Sequence, residues 1–398
     1  MQRLKAFINE KNTTTNNEDA PKFITGLEIF VYIGLIRNEN SLISSFAFIL
    51  TRIWFIVGAI FFLKPIFMPD KTLEMSETVN LIHYALFNIG CLASATAITA
   101  KTEKFKSFCQ LLQDEFKQSK LKLSKSQEEI IINKTNKSCW KLFKILSSFY
   151  CIAATTNCFK GPLLEGLPFP FKGWVPFRTD DSFIYWAVFL GQIGFSANVA
   201  TNICAGIVVY VIQAKQLCSQ FDILIISIKE TFDNSSRNLS NIEREYKILK
   251  KMKMIIKRHQ LLLKCFNHFE EVYSWFLFSM TMASAALICT NVFMLTDPHN
   301  DPAVIFEFSA LLTPEIIIIS FYCSYGQLLA DRWKEVSNTI YHHIDWFNET
   351  IRIRKTLLFV MAISSKPKII RGVGLQPFTW EGFEEVTVTQ IKSLNNNN

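Results

Sequence analysis

"TPEIIIISFYCSYGQLLADRW", residues 313–333, begins beside a proline, passes through four consecutive isoleucines and the adjacent aromatics Phe321 and Tyr322, and closes on Trp333 just beyond an Asp-Arg pair. Joined to "AVIFEFSALL" before it, the apolar part covers residues 303–325. That is the length an α-helix needs to cross a hydrocarbon layer, about 20 residues. Five other runs of this kind lie at 43–63, 79–98, 142–159, 183–212 and 272–295, and "TLLFVMAI" (356–363) sketches a seventh. Val, Ile and Phe runs also suit buried strands, so length arbitrates: these runs far exceed a usual strand of about 5–6 residues. Six of them would also give a soluble chain more core than its surface could enclose.

Composition agrees. Of 398 residues, 49% are hydrophobic and only 19% charged, with 36 Phe and 8 Trp, against about 25% charge in ordinary soluble domains. The expected fold is all-α: a polytopic membrane protein with seven transmembrane helices, its N-terminus cytoplasmic and long helices extending into the cytoplasm.

The orientation follows from the basic residues. Alternate loops 1–42, 99–138, 213–271 and 326–350 hold 5, 9, 11 and 2 Lys plus Arg, while 64–78, 160–182 and 296–302 hold 2, 3 and 0. The positive-inside rule puts the first set in the cytoplasm, with most weight on the shorter loops. All six Asn-x-Ser/Thr sequons, at Asn12, Asn133, Asn136, Asn234, Asn238 and Asn348, fall on that same side, which makes the orientation testable by glycosylation. None of the 10 cysteines lies in an outer loop, so they read as packing residues rather than disulfide partners. The opening "MQRLKAFINEKNTTTNNEDAPKF" has no apolar core, so the first span is expected to act as the insertion signal.

Along the chain, residues 1–42 read as a cytoplasmic tail followed by a re-entrant or interfacial helix over 23–36. A six-span bundle occupies 43–325, with helical extensions at 99–138 and 213–271. In the second extension, "IEREYKILKKMKMIIKRHQLLLKCFNHFEEVY" (242–273) sets apolar residues at helical spacing with basic residues between them. Residues 326–355 form a cytoplasmic anchor region, and 356–398 an atypical or truncated seventh span.

No P-loop, GxGxxG turn, GxSxG or HExxH is present, so an enzyme is not expected, nor any cofactor. "YHHIDW" (341–346) leaves only His342 and Asp345 on one helical face, too few ligands for a metal. Paired half-sequences of the transporter kind are not visible. Intramembrane ionisable groups are the next candidates. Arg52 interrupts the first span at a depth from which it can snorkel. Glu307 and Glu315 lie in the sixth span, Glu315 beside a kinking Pro314; it either lines a cavity or bonds a neighbouring helix.

Aromatics recur in the outer halves of four spans. His83, Tyr84 and Phe87 lie in span two, Phe149, Tyr150 and Ala153 in span three, Tyr185, Trp186 and Phe189 in span four, and Phe308, Leu311 and Leu312 in span six. Together they are able to form a dry pocket with a few polar tips, the anatomy of a small apolar-ligand site. The competing reading is lipid contact and the interfacial belts that Trp and Tyr favour.

Three stretches resemble the insect odorant receptor family: "GWVPFRTDDSFIYWAVFLGQ" (173–192), "RHQLLLKCFNHFEEVYSWFLF" (258–278), and "FYCSYGQLLADRWKEVSNTIYHHIDW" (321–346) with "RKTLLFVMAISSKPKIIRGVGLQPFTWEGFEEV" (354–386). The resemblance implies a ligand-gated, non-selective cation channel in the plasma membrane of a sensory dendrite. It implies a heterotetramer of a ligand-tuning subunit, which this chain resembles, with a shared co-receptor subunit. It assigns the outer-half aromatics to a small volatile apolar odorant and Tyr341, Asp345 and Trp346 to a subunit anchor. The partners expected are then the co-receptor, the odorant and the lipid bilayer, with no nucleic acid. A related gustatory class closes on a Thr-Tyr…Gln-Phe type signature that is not found here. Where odorant receptors continue after "PFTWEGFEEV" with an apolar pore-lining helix, this chain reads "TVTQIKSLNNNN" (387–398).

Overall fold

The computed structural model describes residues 27–37, 41–68, 74–115, 125–164, 169–233, 240–298 and 300–384. The N-terminal tail before Leu27 and the closing "TVTQIKSLNNNN" lie outside the described residues, as do the sequons at Asn12, Asn234 and Asn238.

A short helix α1 (Leu27–Tyr32) precedes α2 (Leu42–Phe67), α3 (Met75–Ala100) and α4 (Thr102–Gln110), the last ending in a π-turn over Leu111–Glu115. Four long helices follow: α5 (Lys125–Leu164), α6 (Ser182–Phe232), α7 (Asn241–Thr296) and α8 (Pro302–His343). Helix α9 (Ile351–Ser364) leads to an antiparallel pair, β1 (Arg371–Gly372) with β2 (Gln376–Pro377), and another helix begins at Trp380. The fold is all-α, and six of its helices are long and apolar enough to cross a membrane among the described residues.

Hydropathy marked only part of each long helix. The run 183–212 opens the 51-residue α6, and 272–295 closes the 56-residue α7. At 1.5 Å rise per residue, such helices reach about 75–85 Å, more than twice the hydrocarbon thickness. The surplus projects from the end of the bundle that carries the lysine-rich segments, called here the basic end.

Helix α6 runs through the middle. Its stretch Ile203–Ala214 is buried on every side, as expected of a helix that is apolar all round. Helices α5, α7 and α8 pack against it, and α3 packs mainly on α7. Helix α2 sits at the rim, with Ile53, Ile56, Val57 and Ile60 about half exposed, which suits a lipid-facing surface.

Ion pairs between helices tie the basic end together: Lys104–Glu271 at 3.2 Å, Arg332–Asp222 at 3.3 Å, Arg258–Glu128 at 3.2 Å, and a two-armed contact of Arg244 with Glu349. Arg258 is almost fully buried and also donates to Gln220 Oε1 at 2.6 Å, so the charge is paired and hydrogen-bonded as burial requires. Arg52 has a comparable task higher up. Its guanidinium donates to the Gly34 carbonyl, to the Leu35 carbonyl at 3.2 Å and to the Thr99 hydroxyl at 2.6 Å. Carbonyls past the end of α1 that lack helical partners are thereby satisfied, and the short helix is fastened to α2 and α3.

The stretch "TLLFVMAI" falls in α9, whose 14 residues span about 21 Å. Ile353, Leu357 and Val360 are buried, and Ser364 Oγ meets His259 Nε2 at 3.2 Å. Helix α9 therefore stands alongside the lysine-rich half of α7.

His259 carries a pH prediction. Burial against Trp333 and Ser364 lowers its pKa from the ordinary 6.5, so the folded chain holds it neutral while the unfolded chain takes up the proton first. This junction then has its full stability above the unfolded value and loses it as pH falls through and below that value. Hydrogen exchange in α9, corrected for intrinsic rate, is expected to be faster at acid pH than at neutral pH. The difference should shrink in His259→Asn; an equal pH response in that variant would exclude His259 as its source.

Candidate functional site

The sixth span brings the chemistry. Glu315 and Tyr322 are seven residues apart in α8, two helical turns, so both face the bundle interior. Each is about 1% exposed. Glu315 meets the Ser284 hydroxyl of α7, leaving its Oε2 without a partner. Tyr150 of α5, Cys91 of α3 and Cys204 of α6 lie within electrostatic reach of this carboxyl or of the phenol of Tyr150. The hydroxyls of Tyr150 and Tyr322 are buried and unpartnered as well. Five helices thus deliver polar tips to one buried centre. A buried polar atom without a hydrogen bond costs roughly 1–3 kcal/mol, so such a concentration of them is unusual in a structural core. A small internal cavity of about 10 Å³ adjoins the centre, lined by Cys91, Ser94, Asn202 and Tyr322 among others. That is room for about one water molecule.

The predicted residues distribute around this centre in distinct groups. In α3, His83, Phe87 and Cys91 form one stripe at four-residue spacing; His83 is buried, faces the Asn291 amide of α7 and stacks on Phe87 with ring centroids 6.3 Å apart. Tyr84, one position on, turns to another side, where it stacks on Phe62 at 5.4 Å and meets Phe171 edge-on at 5.3 Å. Tyr150 reaches the polar centre, whereas Phe149 stands at the helix surface and Ala153 is half-buried. Phe308 is fully buried with Val79 and Met294, Leu311 packs against that group, and Leu312 is half-buried. Tyr185, Trp186 and Phe189 pack with one another near the start of α6, and Phe169 joins them, 5.2 Å from Tyr185.

Glu315 stands out in the sequence as a carboxylate within a membrane span, whereas Cys91, Ser284 and Tyr322 do not stand out. Nothing local distinguishes a serine or cysteine that lines a polar centre from one that packs. At the basic end, Tyr341 is exposed and its ring lies 6.4 Å from Trp346, which packs on the core, while Asp345 opens a short 3-10 turn over Trp346–Asn348.

The 7tm Odorant receptor profile matches residues 74–389. Among curated proteins, Odorant receptor 67c of Drosophila melanogaster is 23% identical over 340 residues, covering 81% of this chain and 80% of that one. Odorant receptor 67a of the same fly is 22% identical, covering 74% of each chain. Among solved structures, the insect olfactory receptor OR5 from Machilis hrabei in complex with eugenol superposes with a TM-score of 0.73. It does so at 12% identity, over 94% of this chain and 97% of that one. A second structure of the same receptor gives 0.72, at 11% identity. The superposition agrees with the all-helical fold, and the profile covers well over half of the sequence: the chain belongs to the 7tm odorant receptor family.

Proposed function

We propose that the chain is an olfactory receptor subunit. It holds a small, mostly apolar odorant between α3, α5, α6 and α8, and as a heteromer with a co-receptor it gates a non-selective cation channel. The observation that carries this reading is the buried centre at Glu315, Tyr150 and Tyr322, where polar atoms without a protein partner come together from different helices beside the His83–Phe87 stripe. A ligand with one polar group and an apolar body can satisfy those atoms, and it shifts the channel only by binding the open arrangement more tightly than the closed one.

The basic end faces the cytoplasm of the sensory neuron, its multi-pass body in the plasma membrane. Exposed Tyr341, Phe347, Ile351, Leu358 and Phe359 cluster in and around α9, beside the charged half of α7. Apolar side chains at that level suit a subunit partner, and with Asp345 and Trp346 they form the anchor. Mapping glycans on the native chain tests the orientation: a sugar on Asn133, exposed at the basic end, overturns it.

Tyr84→Ala removes the ring that stacks on Phe62 and Phe171 beside the stripe. Co-expressed with a co-receptor, this variant is expected to reach the cell surface and to shift odorant dose-response curves by about threefold to tenfold, the worth of one aromatic contact. Curves unchanged across a broad odorant panel would count against the pocket.

A further inference from the structure

A separate cleft of about 360 Å³ opens between α2 and α6. None of the residues discussed as odorant contacts lines it, and in the described ring contacts Tyr84 alone among them packs against a residue that does, Phe171. Its walls are Trp54, Val57 and Phe61 of α2 and Val188, Gln192 and Phe195 of α6, and the segment 171–177 roofs it.

The roof is held by specific bonds. Pro65 has no N–H to give the Phe61 carbonyl four residues earlier, and the Trp174 N–H takes that place at 3.0 Å. The Phe171 N–H donates to Gln192 Oε1 at 2.9 Å. Lys64 Nζ lies 3.5 Å from the centre of the Trp174 ring, and Lys172 pairs with Glu77 at 2.7 Å. At Gly173 any side chain would strike the Phe61 ring, so the close approach of roof to wall requires glycine.

Among the described lining residues Gln192 is the one amide, beside the indoles of Trp54 and Trp174. It is more than nine-tenths buried, and with its oxygen committed to Phe171 its Nε2 donor has no partner. The mouth is continuous with the half-exposed apolar row of α2, so it opens toward the bilayer. We infer that this cleft is a second small-molecule site, filled from the hydrocarbon layer, for a neutral apolar molecule carrying one hydrogen-bond-accepting oxygen, such as a ketone or ester, toward which the Gln192 amide turns from its place just beneath the cleft surface. The volume falls in the range of small-ligand pockets, and the aromatic walls suit an apolar body. A phospholipid headgroup fits less well, because the neighbouring cations are already engaged by Trp174 and Glu77.

The inference rests on the membrane fold and not on channel gating, so its test reads binding directly. The full chain in lipid nanodiscs is irradiated with an eight-carbon methyl ketone bearing a chain diazirine, and the labelled peptides are identified by mass spectrometry. Label is expected on the peptides of Trp54, Val57 and Phe195. Unlabelled 2-octanone should suppress it about fivefold to tenfold more effectively than octane at equal membrane concentration, the worth of one hydrogen bond.

Gly191→Leu is the occluding variant, since a β-carbon there meets only the Trp54 ring at an ordinary 3.8 Å. It should remove at least nine-tenths of the label while leaving helical content and gel-filtration behaviour unchanged. If it does not fold, Val57→Phe takes its place. Equal competition by octane, or full labelling of an occluded and folded variant, overturns the inference as mere lipid contact. Failure of the odorant pocket would show elsewhere, at the peptides of His83 and Tyr150 and in the currents.

Discussion

Replacing Trp333 with alanine is expected to cost about 3–5 kcal/mol, the usual range for removing a large buried ring. Trp333 is 1% exposed in α8 and packs against Phe221 of α6 and His259 and Phe266 of α7, with centroids 5.6–5.8 Å away. Three long helices meet on this one side chain at the level where they leave the apolar layer. Beyond that level no lipid confines them, so side-chain packing and the ion pairs must hold them together. With total stability of a folded domain on the order of 5–15 kcal/mol, such a loss should abolish surface delivery and monodisperse purification. Trp333→Phe should cost much less. The indole Nε1 has no partner, so the phenyl ring gives up area but no hydrogen bond. Wild-type thermal stability in Trp333→Ala would show that the extensions are held by something other than this contact.

Glu315→Leu is expected to separate stability from response. In the folded chain the carboxyl is buried with Oε2 unpartnered, so an apolar replacement removes a polar group that the fold does not satisfy. Ser284, left behind, can turn its hydroxyl to a carbonyl of its own helix. The apparent unfolding temperature should therefore stay level or rise. Response to an odorant bearing a polar group should fall by about 10-fold to 100-fold, because a hydrogen bond to such a buried group contributes about 1.5–3 kcal/mol. Glu315→Gln, which keeps shape and hydrogen bonding, should lie between. Should Glu315→Leu lower stability and leave the dose-response curve in place, Glu315 would be a structural bond between α8 and α7 and not part of a binding site. Trading stability for an unsatisfied polar centre is a familiar pattern at functional sites.

The reading of the sequence fared differently at different scales. The six long apolar runs each became part of a helix, because burial from water depends on the local sum of side chains and any window of about 20 residues reports it. The helical spacing of apolar residues over 242–273 likewise falls within α7. Outer-half depth and a helical face shared within each span, both local, mark the twelve aromatic and aliphatic candidates, and the fold sorts them further by direction, turning Tyr84 away from the His83 and Phe87 face. Successive residues on a helix point about 100° apart, so His83 and Tyr84 at nearly the same depth look into different groups. Arg52 shows the same limit, since its partners Gly34, Leu35 and Thr99 come from two other segments and no local pattern names them.

By itself the sequence determined the all-helical class, the number and place of the long apolar helices, and the concentration of basic residues at one end of the bundle. These are sums over neighbouring residues. Only the tertiary structure decided that Glu315, Tyr150, Cys91 and Tyr322 share one buried centre, that Trp174 repairs the hydrogen bond Pro65 cannot make, and that α9 stands beside the charged half of α7. Those contacts join residues far apart along the chain, and they depend on how each helix is rotated about its axis, which is set by packing against every other helix at once.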